Sequence, residues 1–554
     1  MSVYNNDNNT PVTVEKLAEA NVAEIKVLRG SEAYNEARLK ESPSFRNLIT
    51  WRLMGCLLLG CFCQTMNGFD GSLFNGISAN NTFTDFFPGA GAAGDWQAVT
   101  SAMYQVGGLS ALPFVGPCID TWGRRIGMVI GAVLIVIGVV INGCTVYDVS
   151  NANAMLKGGR FILGFGVSIV SGAGPIYVVE TAHPAWRSII TAYCNTFWFV
   201  GSVLAGGACR GAITISGNAS WLIPVWLQLF FPALILCFVW FIPESPRWLF
   251  VNNKREKATA VLTKWHGKGN PDSPWVSLQL SEYEEHLNME GADKRWWDYS
   301  VFFNNRSNRY RIACNGVFSA FGQLAGNGAL SYYMTAVLLT IGITDEIKRT
   351  NIILGYGIFQ WGFALIGAAF VERIGRRKLM LFSMAGCTVC WTIVTGTASA
   401  YSASGGKILA DGTVIPGSNH AAGTTVLAFI FIFGAVYSVG ITPLQALYPV
   451  EVISFEQRAK GMAFSAFCVN AAGLLNGYAW PVALKEISWY TYIIFTIWCA
   501  IQTVVFYFLM PETRRRTLEE MDKIFEAPNP VKESLKPHKV AVNSEGTILA
   551  TEDI

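Results

Sequence analysis

The sequence predicts an all-α polytopic membrane protein in which twelve transmembrane helices form two six-helix repeats. Three observations predict this fold class. The 554-residue chain is 52% hydrophobic and only 14% charged, whereas soluble domains carry about 25% charged residues. Apolar stretches of about 20 residues, the length that crosses a bilayer, recur along the chain. Short charged motifs of the first half return in the same order in the second half.

The apolar stretches define the elements in order. The first predicted span is the least regular, because its second half is rich in Gly and Asn. The twelve spans cover residues 53–75, 97–118, 127–147, 154–177, 189–209, 222–242, 311–334, 351–371, 379–400, 424–447, 460–481 and 488–510. We expect an N-terminal tail (1–50), a first bundle (51–242), a helical linker (243–309), a second bundle (310–510) and a C-terminal tail (511–554).

The distribution of Lys and Arg predicts the orientation. With the N-terminus inside, the outer loops hold six of the 41 Lys and Arg, and Arg160 lies within a span. The rest fall on the inner side, as the positive-inside rule requires. We therefore expect both termini to be cytoplasmic, with the linker on the same side, and the plasma membrane as the location. The sequons at Asn80 and Asn218 then face outward as candidate glycosylation sites, unlike those at Asn8 and Asn305.

Three motif pairs indicate an internal repeat. CIDTWGRRI (118–126) returns as FVERIGRRK (370–378), and the Glu180…Arg187 pair returns as Glu451…Arg458 with the same spacing. Pro243-Glu244-Ser245 returns as Pro511-Glu512-Thr513. The three offsets are 252, 271 and 268 residues. Repeated halves of this kind are typical of secondary transporters, whose substrate site lies at the midplane between them.

The motifs GRR, PESPRWL, GRR and PETRRRTLEE together resemble the sugar porter family of the major facilitator superfamily. The segments YCNTFWFVGS and FGQLAGNGALSYY are similar to those of fungal lactose permeases and cellodextrin transporters. The resemblance implies the major facilitator fold, sugar transport by alternating access and no cofactor. Gly322, Gly328 and Ala446 stand where hexose porters have Gln, Asn and Trp. The smaller side chain at Ala446 predicts a pocket large enough for a disaccharide.

Sugar hydroxyls both donate and accept, so a sugar site needs amides and aromatic faces. By matching position, the resemblance implies a substrate-binding set of Asn195, Gln323, Asn327, Asn351, Tyr332, Asn470 and Asn476. Tyr333 and Trp480 are further candidate aromatic walls. The alternative is that these amides only join helices, a role worth about 0.6 kcal/mol each.

Asp70 and Arg160 are ionisable residues inside the first-half spans, where a charge is costly. In proton-coupled relatives the position of Asp70 accepts the proton and that of Arg160 neighbours it. Moving the Arg relative to the carboxylate would change its proton affinity and so couple protonation to the conformational change. The alternative is a static ion pair.

Paired opposite charges near the inner span ends are the third candidate site. In the family such residues form salt bridges that hold the cytoplasmic side shut in one conformation. The predicted inner-gate residues are Asp120, Arg124, Arg125, Glu180, Arg187, Glu244, Arg247, Glu372, Arg376, Arg377, Glu451 and Arg458. The alternative is that the Arg residues only set the topology.

Other function classes fit the sequence poorly. The five His have no metal-ligand spacing, and Cys387 and Cys390 lie within an apolar helix, so we expect no metal site. No set of residues suggests a catalytic nucleophile with its base, so we expect that the protein is not an enzyme. The net charge of +3 gives no indication of nucleic-acid binding. The expected partners are a sugar, protons and the bilayer. A facilitative uniporter, a non-transporting sugar sensor and a small-metabolite exporter stay open as alternatives.

Overall fold

The computed structural model describes residues 3–4, 11–12, 37, 40–41, 47–87, 95–290, 300–408, 414–415, 417–454, 458–514, 518–536, 538–542 and 548–553. The first half contains α1 (Leu48–Ile77), α2 (Asn81–Phe86), α3 (Asp95–Trp122), α4 (Arg124–Gly143), α5 (Ala152–Thr181), α6 (Arg187–Ala212), α7 (Ala219–Leu227) and α8 (Phe230–Phe238). The linker contains α9 (Pro246–Val251), α10 (Arg255–Trp265), α11 (Pro274–Glu290) and α12 (Val301–Asn304).

The second half repeats this order. It contains α13 (Arg306–Leu324), α14 (Asn327–Thr340), α15 (Glu346–Ile374), α16 (Arg376–Ala403), α17 (His420–Val452), α18 (Arg458–Ile487) and α19 (Thr491–Leu509), followed by α20 (Leu518–Glu526) and α21 (Pro530–Ser534). Short strands β1 (Val3–Tyr4), β2 (Pro11–Val12), β5 (His538–Val542) and β6 (Ile548–Asp553) pair near the termini, and β3 (Lys407–Ile408) pairs with β4 (Val414–Ile415).

All twelve predicted spans fall on helices, which confirms the all-α fold class. Among the described residues, nine helical stretches are long and apolar enough to cross a membrane, and the last of them includes both α18 and α19. The helices α3, α13 and α14 complete the set with more polar faces. The first span, whose Gly and Asn content looked irregular, is one continuous helix of 30 residues.

The glycines of α1 permit close contact with α6. A side-chain carbon on Gly68 would lie 1.9 Å from the Trp198 carbonyl oxygen, and one on Gly201 would lie 1.9 Å from that of Thr65. Both positions therefore require Gly, because any larger residue would force the two backbones apart.

Two separate apolar cores support the two halves. One unites buried residues of α1 to α8, and the other unites buried residues of α13 to α20. The linker has a small core of its own, around Phe250, Leu262 and Val276. Polar groups can therefore lie between two bundles that each have their own apolar core.

Two of the spans are broken. Between α7 and α8 the break falls at Gln228, whose carbonyl loses its usual helical donor because the residue four positions later is Pro232. Between α13 and α14 it falls at Ala325 and Gly326, where Gly326 takes the left-handed φ of 103°. The Ala325 carbonyl accepts instead from Trp391 Nε1 at 3.0 Å. Both breaks lie next to candidate site residues.

Candidate functional site

Asp70 is buried within the first half, with 1% of its surface exposed. Its Oδ1 accepts a hydrogen bond of 2.8 Å from Gln228 Nε2, at the break between α7 and α8. Its Oδ2 is buried and has no hydrogen-bond partner among the described residues. The carboxyl group therefore contacts a neutral amide and keeps one oxygen open to a proton or to another donor.

Arg160 lies near Asp70 and has contacts with a backbone carbonyl and two aromatic rings. Its Nε donates to the Thr100 carbonyl at 3.1 Å. Its guanidinium carbon is 4.4 Å from the Phe74 ring centroid and 5.3 Å from that of Tyr104. The guanidinium remains within electrostatic range of Asp70. The structure thus brings the two predicted coupling residues into one region and places Gln228, which the sequence reasoning missed, against the carboxylate.

The break between α13 and α14 gathers several of the predicted amides. Asn476 Nδ2 donates to the Gln323 carbonyl at 2.8 Å, and Trp480 Nε1 donates to Asn476 Oδ1 at 2.6 Å. Asn327 Oδ1 accepts from Gln360 Nε2 at 3.1 Å. These four polar residues and Trp480 form what we call the amide cluster.

Two glycines leave space that neighbouring amides occupy. A side-chain carbon on Gly322 would lie 2.9 Å from Gln445 Nε2, and one on Gly328 would lie 2.7 Å from Asn476 Nδ2. Gln445 Nε2 donates to the Tyr437 hydroxyl at 3.1 Å, and that hydroxyl donates to the Gly322 carbonyl at 2.6 Å. Amides from α17 and α18 thus stand beside the two positions where hexose porters carry amides on α13 and α14.

The remaining predicted substrate residues are distributed over the interface between the halves. Asn195 Nδ2 donates across it to the Thr442 carbonyl at 3.0 Å. Asn470 Oδ1 faces the other half, where a side-chain carbon added to Gly108 would lie 2.9 Å from it. Asn351 is apart from both: it is exposed near the start of α15, and its Oδ1 accepts from Arg210 at 2.6 Å.

The predicted inner-gate residues of the first half form a compact network. Arg124 Nε and Nη2 contact the two oxygens of Glu180 at 2.7 and 2.9 Å, and Asp120 lies 3.3 Å from Arg124. Arg125 donates to backbone carbonyls after α8. Burial raises the pKa of Glu244, against the lowering effect of the Ser245 amide and the nearby Arg side chains.

The second half repeats the Arg–Glu–hydroxyl contacts with the same atoms. Arg376 Nη2 and Nε contact Glu451 at 2.7 and 3.1 Å. Thr513 donates to Glu451 at 2.6 Å, as Ser245 donates to Glu180 at 2.5 Å. Each described pair joins helices of one half. Arg187 Nε is buried with no hydrogen-bond partner among the described residues, so it is a donor suited to a contact made in another conformation.

Hydrogen bonds between the two halves concentrate at the end of the bundle away from the linker. Asn75 of α1 donates to the Ser331 carbonyl at 3.1 Å and accepts from the Thr335 amide at 3.2 Å. Arg349 donates to the Ala79 carbonyl at 3.2 Å. The Arg–Glu pairs at the linker end, in contrast, each lie within one half.

The residues that sequence reasoning missed are Gln228, Gln360 and Gln445. Each is an amide in an apolar span, which is a signal of function in itself. Gln228 carried a second signal, because Pro232 four residues later predicts a helix break at that carbonyl.

Several predicted residues lie outside the described part of the chain. Among them are the side chains of Tyr332, Glu372, Ala446 and Arg458, and Asn8 as a whole. Their predicted roles, including the larger pocket at Ala446, stay predictions.

The two sequons that the predicted orientation places outside differ in accessibility. Asn80 is buried, with 5% of its surface exposed, and its Nδ2 donates to Ser220 at 3.0 Å, so the atom that a glycan needs is engaged. Asn218 is half-buried, and its contact with Trp221 uses the amide oxygen: Oδ1 accepts from Trp221 Nε1 at 3.4 Å.

Comparison with known proteins gives concordant matches. A family model described as "Sugar (and other) transporter" matches residues 56–525. The chain is 29% identical over 469 residues to the MFS-type transporter oryC of Aspergillus oryzae, covering 83% of each chain. It is 28% identical over 477 residues to the high-affinity glucose transporter of Kluyveromyces lactis, covering 84% of each. It is 25% identical over 509 residues to the quinate permease of Neurospora terricola, covering 88% and 91%.

A solved structure shares the fold. The proton:xylose symporter XylE with bound 6-bromo-6-deoxy-D-glucose superposes with a TM-score of 0.69 and 17% identity, covering 85% of this chain and 99% of that one. At this identity the match establishes the arrangement of helices alone.

Proposed function

Because the chain belongs to the sugar transporter family of the major facilitator superfamily, we propose that it carries a sugar across the membrane together with protons. The named relatives are transporters rather than enzymes. Two independently packed bundles, with polar groups between them, suit alternating access. The preferred substrate class is a disaccharide of the lactose or cellobiose type, or a hexose.

Asp70 is the observation that carries the proton coupling. Removing a carboxyl group fully from water is costly, so its presence inside the bundle indicates a functional role. Its Oδ2 has no hydrogen-bond partner, and Arg160 is held by the Thr100 carbonyl and two aromatic rings. In the opposite conformation, Arg160 would pair with the carboxylate and release the proton. A symporter needs such an alternation, and a facilitative uniporter does not.

The amide cluster supports a polyhydroxylated substrate. Amides both donate and accept, and the Trp480 ring offers a face to the C–H surface of a sugar. We assign Gln323, Asn327, Asn476, Asn195, Asn470 and Gln445 as substrate ligands, and Asn351 to the outer end of the interface. Quinate is the second candidate because a quinate permease is among the relatives. The members of the amide cluster are uncharged, which favours a neutral sugar over an acid.

The location follows from the same proposal. The linker and both termini lie in the cytoplasm, because Lys and Arg concentrate on the linker side. We propose the plasma membrane as the location, since uptake of an external sugar takes place there. Asn218, rather than the engaged Asn80, is the proposed glycosylation site.

Uptake in a yeast strain without its own sugar transporters tests the proposal. Labelled lactose, cellobiose, glucose and quinate would be supplied at acidic and neutral pH, with and without a protonophore. We expect accumulation above the outside concentration that the protonophore abolishes. Asp70→Asn should abolish accumulation, whereas Asp148→Asn, at a half-buried carboxylate of a loop between α4 and α5, should retain it.

Other outcomes would select another function. Equilibrating uptake that ignores pH, protonophore and Asp70→Asn would identify a uniporter. Uptake of quinate alone would move the substrate class to hydroxy acids. No uptake by protein present at the cell surface would leave the exporter and sensor alternatives.

A further inference from the structure

An apolar groove opens on the lipid-facing surface of the first half, on the side turned away from the second half. It has a volume of about 420 Å³ and lies between α1 and α8. Its walls are apolar, with Cys56 and Phe62 on α1 and Leu234 and Phe238 on α8, and Arg52 lines it as well. A side-chain carbon on Gly55 would have no atom within 4 Å, so the groove reaches the backbone of α1.

Two cations stand at the end of this groove that faces the linker. Arg52 is exposed on the first turns of α1. Lys264 Nζ lies 5.1 Å from the centroid of the Trp265 ring, and its charge acts on Cys56 inside the groove. None of the ten lining residues is acidic. Among the described residues, no ion pair is found for Arg52 or Lys264.

We propose that this groove binds one anionic phospholipid of the linker-side leaflet, with an acyl chain along α1 and its negatively charged headgroup between Arg52 and Lys264. A neutral lipid would fill the apolar part equally well, but two unpaired cations at the mouth favour an anionic headgroup. The cytoplasmic leaflet supplies such lipids. The inference rests on the proposed orientation and is independent of the transported substrate.

Lipid binding to the purified full-length protein tests the headgroup contact. Phosphatidylserine and phosphatidylcholine would be titrated in turn and the bound lipid counted by native mass spectrometry. We expect tighter binding of phosphatidylserine. Arg52→Ala and Lys264→Ala should each weaken it by about fivefold, the factor equivalent to about 1 kcal/mol per cation. Lys257→Ala, at an exposed cation on the same linker helix, should leave it unchanged.

A second pair of variants tests the acyl-chain contact. Gly55→Leu places a side chain into open groove space and should weaken binding of both lipids. Gly396→Leu, at an equally open and exposed glycine of α16, should not. Equal affinity for the two lipids in the native protein would overturn the proposal, as would unchanged phosphatidylserine binding in both cation variants. Because the readout is binding, a negative result leaves the transport proposal untouched.

Discussion

At the scale of single residues, Gly328 and Asn476 share one space. The Asn476 side chain crosses the position that a Gly328 side chain would fill, and it supports both the Gln323 carbonyl and the Trp480 indole. Gln445 stands in the same relation to Gly322. Amides on neighbouring helices therefore stand beside the two positions where hexose porters carry amides on one broken helix, so a sugar bound as proposed would meet them from a different direction.

An exchange of the two residues tests this relation. Gly328→Asn alone should lower the melting temperature, because overpacking costs about 1–3 kcal/mol. Asn476→Gly alone should also destabilise, because it leaves Trp480 Nε1 without its acceptor. The double variant should recover most of the loss, as coupled neighbours do. Thermal unfolding in detergent and initial uptake rates measure both effects. Strictly additive losses would show that the two positions do not share space.

At the scale of elements, the break between α13 and α14 depends on Gly326. Its φ of 103° lies in the left-handed region, and a side-chain carbon would lie 2.6 Å from the Trp391 ring. Trp391 also donates to the carbonyl freed by the break. Because the amide cluster lies at this break, the break positions the predicted substrate ligands.

We expect Gly326→Ala to destabilise the protein by at least about 1–2 kcal/mol, the cost of a left-handed residue with a Cβ. Uptake should fall as well, because Gln323 and Asn327 flank the break. The control is Gly396→Ala, in open space within α16, which should be neutral or stabilise by up to about 1 kcal/mol. Thermal unfolding separates the two. Equal melting temperatures would mean that the break tolerates a side chain.

The junction of the linker with α5 contains a buried histidine. His266 contacts Gln279 Oε1 of α11 at 2.9 Å and the Thr181 carbonyl of α5 at 3.0 Å, and faces His183 and Arg187. Burial lowers the pKa of His266 from 6.5 to about 4. Burial likewise lowers the pKa of His183 to about 3. The folded protein therefore keeps both rings neutral.

This burial predicts a pH-dependent stability. Between pH 6.5 and about 4 the unfolded chain binds more protons than the folded one, so the stability contribution of His266 is complete above pH 6.5 and declines as the pH falls. Melting temperatures across this range should fall with acidity in the native protein and less steeply in His266→Gln. His420→Gln, at an exposed helix start, should follow the native profile. Parallel profiles for all three would contradict the prediction.

Element positions were predictable from the sequence because apolar length and repeated motifs depend on local composition. The twelve predicted spans fall on helices, and the Arg124–Glu180 and Arg376–Glu451 contacts form at the repeated motifs. The contacts of Asp70 and Arg160 were not predictable. They depend on how α7 and α8 break and on which neutral groups reach the two charges, and such tertiary packing leaves no periodic signal. The separation of Asn351 from the other amides has the same origin. Its distance from the centre of the bundle depends on where α15 starts, and that start is set by the tertiary fold.

At the scale of the whole molecule, the two halves repeat the same gate geometry. Gly123 and Gly375 share φ values of 101° and 103°, and each precedes an Arg that pairs with a Glu on a neighbouring helix. The pairs lie within each half, whereas Asn75 and Arg349 join the halves at the opposite end. This arrangement fits a transporter closed at the end away from the linker, which is the outer side in the proposed orientation, and in which the linker-side networks hold each bundle rigid.

Asn75→Ala should open the outer side. The substitution removes the side-chain bonds to Ser331 and Thr335 across the interface. At about 1 kcal/mol for each of these two residues, the outward-open population should rise about thirtyfold. Gly206→Cys is a suitable reporter, because its side-chain carbon would lie 3.4 Å from Leu354 of α15 and be covered only while the outer side is closed. Labelling by an impermeant maleimide should accelerate in Asn75→Ala and stay slow in Asn419→Ala, which alters a helix cap away from the interface. Equal labelling rates, after subtraction of the rate without the reporter, would show that Asn75 does not hold the halves together.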